Sequence, residues 1–129
     1  DRVADAAPGC DWTAAATWEF HPLDGDAFPA VDLARRVGSV GGTAPAVFNA
    51  ADEACVAAFL EGRLAFPRIV ETVARVVEEH LEGDPDEALT GSRWIDGNNV
   101  TMSDVLSADA WARQRAEEMA FEMTEDSRA

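Results

Sequence analysis

Residues that could do chemistry are few and scattered here. The soft metal ligands are two cysteines, Cys10 and Cys55, and two histidines, His21 and His80. No CxxC, HxxxH or HExxH spacing gathers them, so the sequence offers no zinc site. Asp24-Gly25-Asp26 and Asp84-Pro85-Asp86-Glu87 crowd carboxylates that could meet a hard cation. Neither has the length or the closing Glu of a calcium loop, and both read as solvated turn carboxylates. Ser39, Ser92, Ser103, Ser107 and Ser127 stand outside any G-x-S-x-G elbow. Gly41-Gly42 lacks the spacing of a phosphate-cradling loop and follows a helix rather than a strand. His21 precedes a proline in a turn and reads as a surface histidine. His80, next to Glu78 and Glu79, reads as a solvated histidine near a helix end. Cys55 lies within an apolar helical pattern and reads as a buried free thiol, not half of a disulfide with Cys10. Asn99-Val100-Thr101 matches a glycosylation sequon, a pattern short enough to arise by chance.

One polar group resists this reading. Asn49 and Glu53 sit i, i+4 in a helical segment, where Asn is a poor interior residue because its amide competes for backbone bonds. An exposed polar side is one explanation. The favoured one is a polar patch satisfied by another part of the protein.

The elements that must position these residues follow from spacing and breakers. The chain has 129 residues, 47% of them apolar, which suits one domain with its own core. Its formal charge is −15, from 10 cations, every one Arg, against 25 carboxylates. Such a balance repels phosphate backbones and anionic lipid, which argues against nucleic-acid or membrane-surface partners. No apolar run approaches the roughly 20 residues of a membrane-spanning helix. The first residue is Asp1 and no leader pattern follows it, so the sequence reads as a piece of something longer, with a cytoplasmic setting expected.

Asp1 to Gly9 reads as a loose arm. Thr17-Trp18-Glu19-Phe20 alternates polar and aromatic residues, the pattern of a short strand or extended arm with one apolar face, and Pro22 ends it. A first helix is expected over 28–37, with Phe28, Val31, Ala34 and Val37 inward and Gly38 as its stop. A second is expected over 45–61, capped by Thr43, with Pro45 in its first turn. Its inward stripe would be Phe48, Ala51, Cys55 and Phe59, with Val56 and Leu60 in a row beside it, and Gly62 would close it. A third runs over 66–82, with Ile69, Val70, Val73, Val76, Val77 and Leu81 inward. Residues 83–101 form a long loop around Trp94-Ile95. A fourth helix begins near Ser103 or Ser107 and reaches about Met123, with Trp111, Ala112, Arg115, Ala116, Met119 and Met123 on one face. Glu117, Glu118, Glu122 and Glu125 look outward, and Thr124 to Ala129 should fray. The expected fold is all-α, a small four-helix bundle-like domain preceded by an extended or short-strand amino-terminal arm.

Asn49-Ala50-Ala51-Asp52-Glu53, continuing through Val56-Ala57-Ala58-Phe59-Leu60 to Phe66, resembles the Asn-Ala-Ala-Asn-Glu segment and following helix of the 1-deoxy-D-xylulose 5-phosphate reductoisomerase family. Other landmarks agree in order. Thr17-Trp18-Glu19-Phe20 with Pro22 and Asp24 resembles that family's arm. Phe28-Pro29-Ala30-Val31-Asp32-Leu33-Ala34 resembles its next helix. Asp104-Val105-Leu106 with Ala108-Asp109-Ala110-Trp111-Ala112-Arg113 resembles its last. Asp52 departs from the pattern, standing where the family usually has a second Asn, and residues 83–101 look expanded.

The resemblance implies a carboxy-terminal helical domain at 28–129, reached through a connecting arm at 1–27. The parent enzyme would use NADPH and a divalent metal, Mg or Mn, in isoprenoid biosynthesis. Its glycine-rich cofactor loop, metal carboxylates and phosphate-binding residues would all precede Asp1, so this stretch alone is expected to bind no cofactor and to be inactive. Trp18 and Phe20 match the arm that joins the catalytic domain and its dimer contacts, so those domains are the implied partners, with self-association through the arm. A free-standing acidic helical module that binds a protein partner is the rival reading. The two differ at Trp12, Trp18 and Phe20, where a severed domain would expose an apolar face.

Overall fold

The structure, a computed structural model, describes residues 11–83 and 91–126, with side chains of the last helix as far as Phe121. It has four helices in chain order, α1 (Ala30–Val40), α2 (Ala44–Leu60), α3 (Arg68–Glu82) and α4 (Met102–Asp126). No strand occurs among the described residues, and Trp18 and Phe20 lie in chain without regular secondary structure.

α2 is the central element and packs most extensively on α4 and α3, with α1 leaning on it more lightly. Alanine makes this possible. Ala44, Ala50, Ala51, Ala54 and Ala58 are buried along α2, and Ala108, Ala112, Ala116 and Ala120 answer from α4. Small side chains let the two backbones approach closely. Val73, Val76 and Val77 of α3 and Met119 of α4 fill the remaining space.

The inward face of α2 differs from the expected one. Ala51 and Cys55 are buried and Phe48 is partly so, but Val56, Phe59 and Leu60 face outward, while Val47, Ala50, Ala54 and Ala58 are core. A helix apolar on most sides gives periodicity little to resolve. α1 is also shifted. It starts at Ala30 and continues through Gly38 to Val40, with Gly41 at φ 69° receiving the turn. Of its expected stripe only Val37 is buried, because α1 lies at the edge of the bundle.

The helix ends are set by local chemistry. Thr101 and Asp104 form a reciprocal box at the start of α4. The Thr101 amide donates to Asp104 Oδ2 over 2.8 Å and the Asp104 amide donates to Thr101 Oγ1 over 3.3 Å. The hydroxyl of the possible sequon therefore serves as a helix cap. α4 begins at Met102, ahead of either expected start, and stays helical to Asp126. Asp24 Oδ1 accepts the amides of Asp26 and Ala27, so this carboxylate closes its own turn. Cys10, the segment Asp1 to Gly9 and the cluster Asp84-Pro85-Asp86-Glu87 lie outside the described residues, as do the side chains of Glu122, Met123 and Glu125.

Candidate functional site

Asn49 and Glu53 do meet. On the outer face of α2 the Asn49 amide donates to Glu53 Oε1 over 3.0 Å. From α4, Arg113 Nη2 donates to Glu53 Oε2 over 2.6 Å, while its Nε donates to Asp109 Oδ2 over 2.8 Å. The expected polar patch is therefore a surface chain of four side chains that ties α2 to α4. The bond from Arg113, then that from Asn49, holds the Glu53 carboxyl below its ordinary range, and Asp109 with Glu53 raises Arg113. All of these groups are already paired and water-accessible, which suits orientation of helices rather than acid–base work.

A second polar network was misread in the sequence. His80 is fully buried, not solvated. Its Nδ1 lies 3.1 Å from the Ser92 carbonyl and its Nε2 lies 2.8 Å from Thr43 Oγ1. A carbonyl can only accept, so Nδ1 carries the proton and Nε2 accepts from the Thr43 hydroxyl. The same hydroxyl accepts the Ile95 amide over 3.0 Å, and the Thr43 amide donates to the Ile95 carbonyl over 3.1 Å. Trp94 completes the clasp, its backbone N–H donating to the His80 carbonyl and its indole N–H to the Gly41 carbonyl, each over 3.0 Å. Thr43 therefore does not cap α2 with its side chain, being committed to His80 and Ile95.

The signal for His80 was present. It continues the i, i+3, i+4, i+7 stripe of Val73, Val76 and Val77, so it belongs to the buried face of α3. The clasp pins residues 92–95 to the α1–α2 turn and to the end of α3. Burial, opposed by the hydrogen bonds of His80 to the Ser92 and Gly91 backbone, lowers the His80 pKa from its ordinary value. Cys55 is a buried free thiol, pushed up to about 11 by burial and then by the charge of Asp52.

An open cleft of about 860 Å³ lies between α3 and α4, lined by Glu79, Glu82, Ser92, Trp111 and Arg115 among others. Arg115 is already engaged there, donating from Nε to Glu79 over 2.7 Å and from Nη1 to Glu118 over 3.1 Å. It offers no spare donor fork to an anionic ligand. Among the described residues no three His, Cys, Asp or Glu side chains gather to hold a metal ion. None of the described helices is long and apolar enough to cross a membrane. On the arm, Trp12, Trp18 and Phe20 are all exposed, the last two with stacked rings 6.4 Å apart. They lie apart from the Asn49–Glu53 pair in sequence, and no bond joins the two groups among those found.

Residues 1–115 match the family described as the DXP reductoisomerase C-terminal domain. The chain is 62% identical over 120 residues to a 1-deoxy-D-xylulose 5-phosphate reductoisomerase of Kitasatospora griseola, covering 93% of the chain and 28% of that protein. It is 54% identical over 119 residues to the protein of the same name from Cutibacterium acnes, covering 92% and 29%. Against the one from Streptomyces avermitilis the identity is 55% over 130 aligned positions, covering 100% and 30%. The chain thus spans somewhat more than a quarter of the length of these curated relatives.

Proposed function

The chain belongs to the DXP reductoisomerase C-terminal domain family, and from that premise we propose that it completes an enzyme of isoprenoid biosynthesis. The parent rearranges and reduces 1-deoxy-D-xylulose 5-phosphate to 2-C-methyl-D-erythritol 4-phosphate, in the cytoplasm. The observation that carries this reading is the match over residues 1–115, which takes in the arm as well as the helices. Nothing in the comparisons favours the free-standing acidic module.

NADPH and a divalent metal, Mg or Mn, supply the hydride and the Lewis acid in the parent. The described residues do not fit either group. They present no metal-ligating cluster, and the cation of the α3–α4 cleft is bound by two carboxylates. No step of the reaction is assigned to the described residues. Its contribution is mechanical, and two groups of residues carry it. Residues 1–27 act as the connecting arm, with Trp18 and Phe20 placing an apolar, extended segment where a sheet of the catalytic domain can take it up by strand addition and extend the dimer contact. Residues 28–129 act as the buttress, and the Asn49–Glu53–Arg113 chain keeps α2 and α4 in register behind that sheet.

The coding sequence upstream of Asp1 tests this. The reading expects a strand, then a glycine-rich phosphate loop, then a carboxylate cluster. A start codon directly before Asp1 would contradict it.

A further inference from the structure

At the carboxy-terminal end of α2 the chain presents an apolar surface that no other described residue covers. Leu60 is 77% exposed, Phe66 68%, and Phe59 and Val56 37% each. The surface is locally organised. Phe59 and Phe66 meet edge to face with centroids 5.7 Å apart. Gly62, at φ 73°, reverses the chain after α2, and the Ala58 carbonyl accepts the amides of both Arg63 and Leu64. That turn sends Leu64 into the core and brings Phe66 back beside Phe59. The flanking charges are paired, Arg63 with Glu61 and Arg68 with Glu71, each at 2.6 Å.

Size then decides what can sit there. At roughly 200 Å² per large side chain, the exposed parts of these four residues come to roughly 400 Å². That is within the range of functional patches on single domains. It is about half of the roughly 800 Å² per partner that a stable complex of free proteins needs. A tethered partner needs far less, because a covalent link supplies an effective concentration on the order of millimolar. The chain accounts for 28% of the length of its Kitasatospora griseola relative and matches a carboxy-terminal domain. Most of such a protein is thus attached to it through the arm.

We propose that Val56, Phe59, Leu60 and Phe66 form a docking face for the preceding domain of the same parent chain, a contact separate from Trp18 and Phe20. The proposal rests on the domain assignment above. An apolar partner surface without unpaired charge fits this corner, since a lone charge buried against it would lose its hydration without compensation.

The test is alkylation of Leu60→Cys in the full-length parent with iodoacetamide at about pH 8, where an exposed thiol is reactive. Mass spectrometry reads the peptide that carries position 60. Leu60 is mostly exposed, so the substitution leaves the core intact. The docking face predicts alkylation slower by roughly tenfold or more than in the urea-unfolded parent. Equal rates in a parent with full reductoisomerase activity would overturn the proposal and leave the functional reading standing. Protection lost on dilution to nanomolar protein would also overturn it, by assigning the face to a second copy. Protection in a parent without that activity would support the docking face while removing the functional reading.

Discussion

Thr43→Val is the most informative single change to the fold. Valine matches threonine in shape, so the change removes one hydroxyl and adds no void. That hydroxyl serves a buried and a part-buried group at once, donating to His80 Nε2 at 2.8 Å and accepting the Ile95 amide at 3.0 Å. A buried group left unpaired costs about 1–3 kcal/mol and the part-buried amide adds a smaller loss of about 1 kcal/mol, so the variant should lose about 2–4 kcal/mol. Urea unfolding at neutral pH measures it. A loss under about 0.5 kcal/mol would show that neither bond matters to folding, and that the clasp is not what holds residues 92–95.

The same network fixes a pH dependence. Folding keeps His80 neutral, since burial lowers its pKa below the ordinary histidine value. Below about pH 6.5 the unfolded chain therefore binds the proton that the folded chain refuses. Stability is fully present above that pH and declines as pH falls toward the folded pKa, with a slope of at most about 1.4 kcal/mol per pH unit for one proton. His80→Gln should flatten that decline between about pH 6.5 and 5, at the cost of a lower stability at neutral pH. A wild-type curve already flat across that window would refute the assignment of His80 as a buried neutral base.

Other predictions follow from the same packing. Gly42→Ala should destabilise by about 3 kcal/mol or more, because φ is +61° there and a Cβ would stand 1.9 Å from the Ile95 carbonyl oxygen. Gly38→Ala meets open space inside α1 and should stabilise by about 0.5–1 kcal/mol; thermal unfolding of the two variants reads the contrast. Met119→Ala should cost about 2–5 kcal/mol in denaturant unfolding, since Met119 is fully buried. Phe59→Ala should cost less than Met119→Ala, because Phe59 is at the edge of the core and not at its centre. Cys55 should resist a disulfide-exchange reagent at about pH 8 in the folded chain and react on unfolding, its thiol being buried and pushed up to about 11.

Helix number, order and most ends were legible, because glycine and proline punctuate the chain and act locally. Pro67 stands directly before α3 and Gly83 directly after it. The resemblance was carried by residues whose spacing survives without structure, Asn49 and Glu53 above all. What sequence could not show was which side of α2 is inside. That helix touches three others and is apolar on most sides, so its buried face is decided by what packs on it. Phe59 was read inward and Leu60 in the row beside it from their helical spacing, whereas the close approach of α2 to α4 selects alanine. His80 was lost to its charged neighbours in sequence, although its stripe partners pointed inward. Thr43 was read through the usual role of threonine before a helix, and its true partners lie 37 and 52 residues away. Gly38 was read as a stop, but the helix has no need to end until a left-handed residue is required at Gly41.

The central claim is that this chain is the non-catalytic end of a reductoisomerase. NADPH oxidation with 1-deoxy-D-xylulose 5-phosphate and Mg or Mn tests it most directly, measured on the full-length parent, on the parent with Trp18→Ser and Phe20→Ser, and on this chain alone. The account predicts turnover by the parent, reduced turnover when the arm is changed, and none by the chain. Oxidation by the chain alone, or none by the parent, would contradict it.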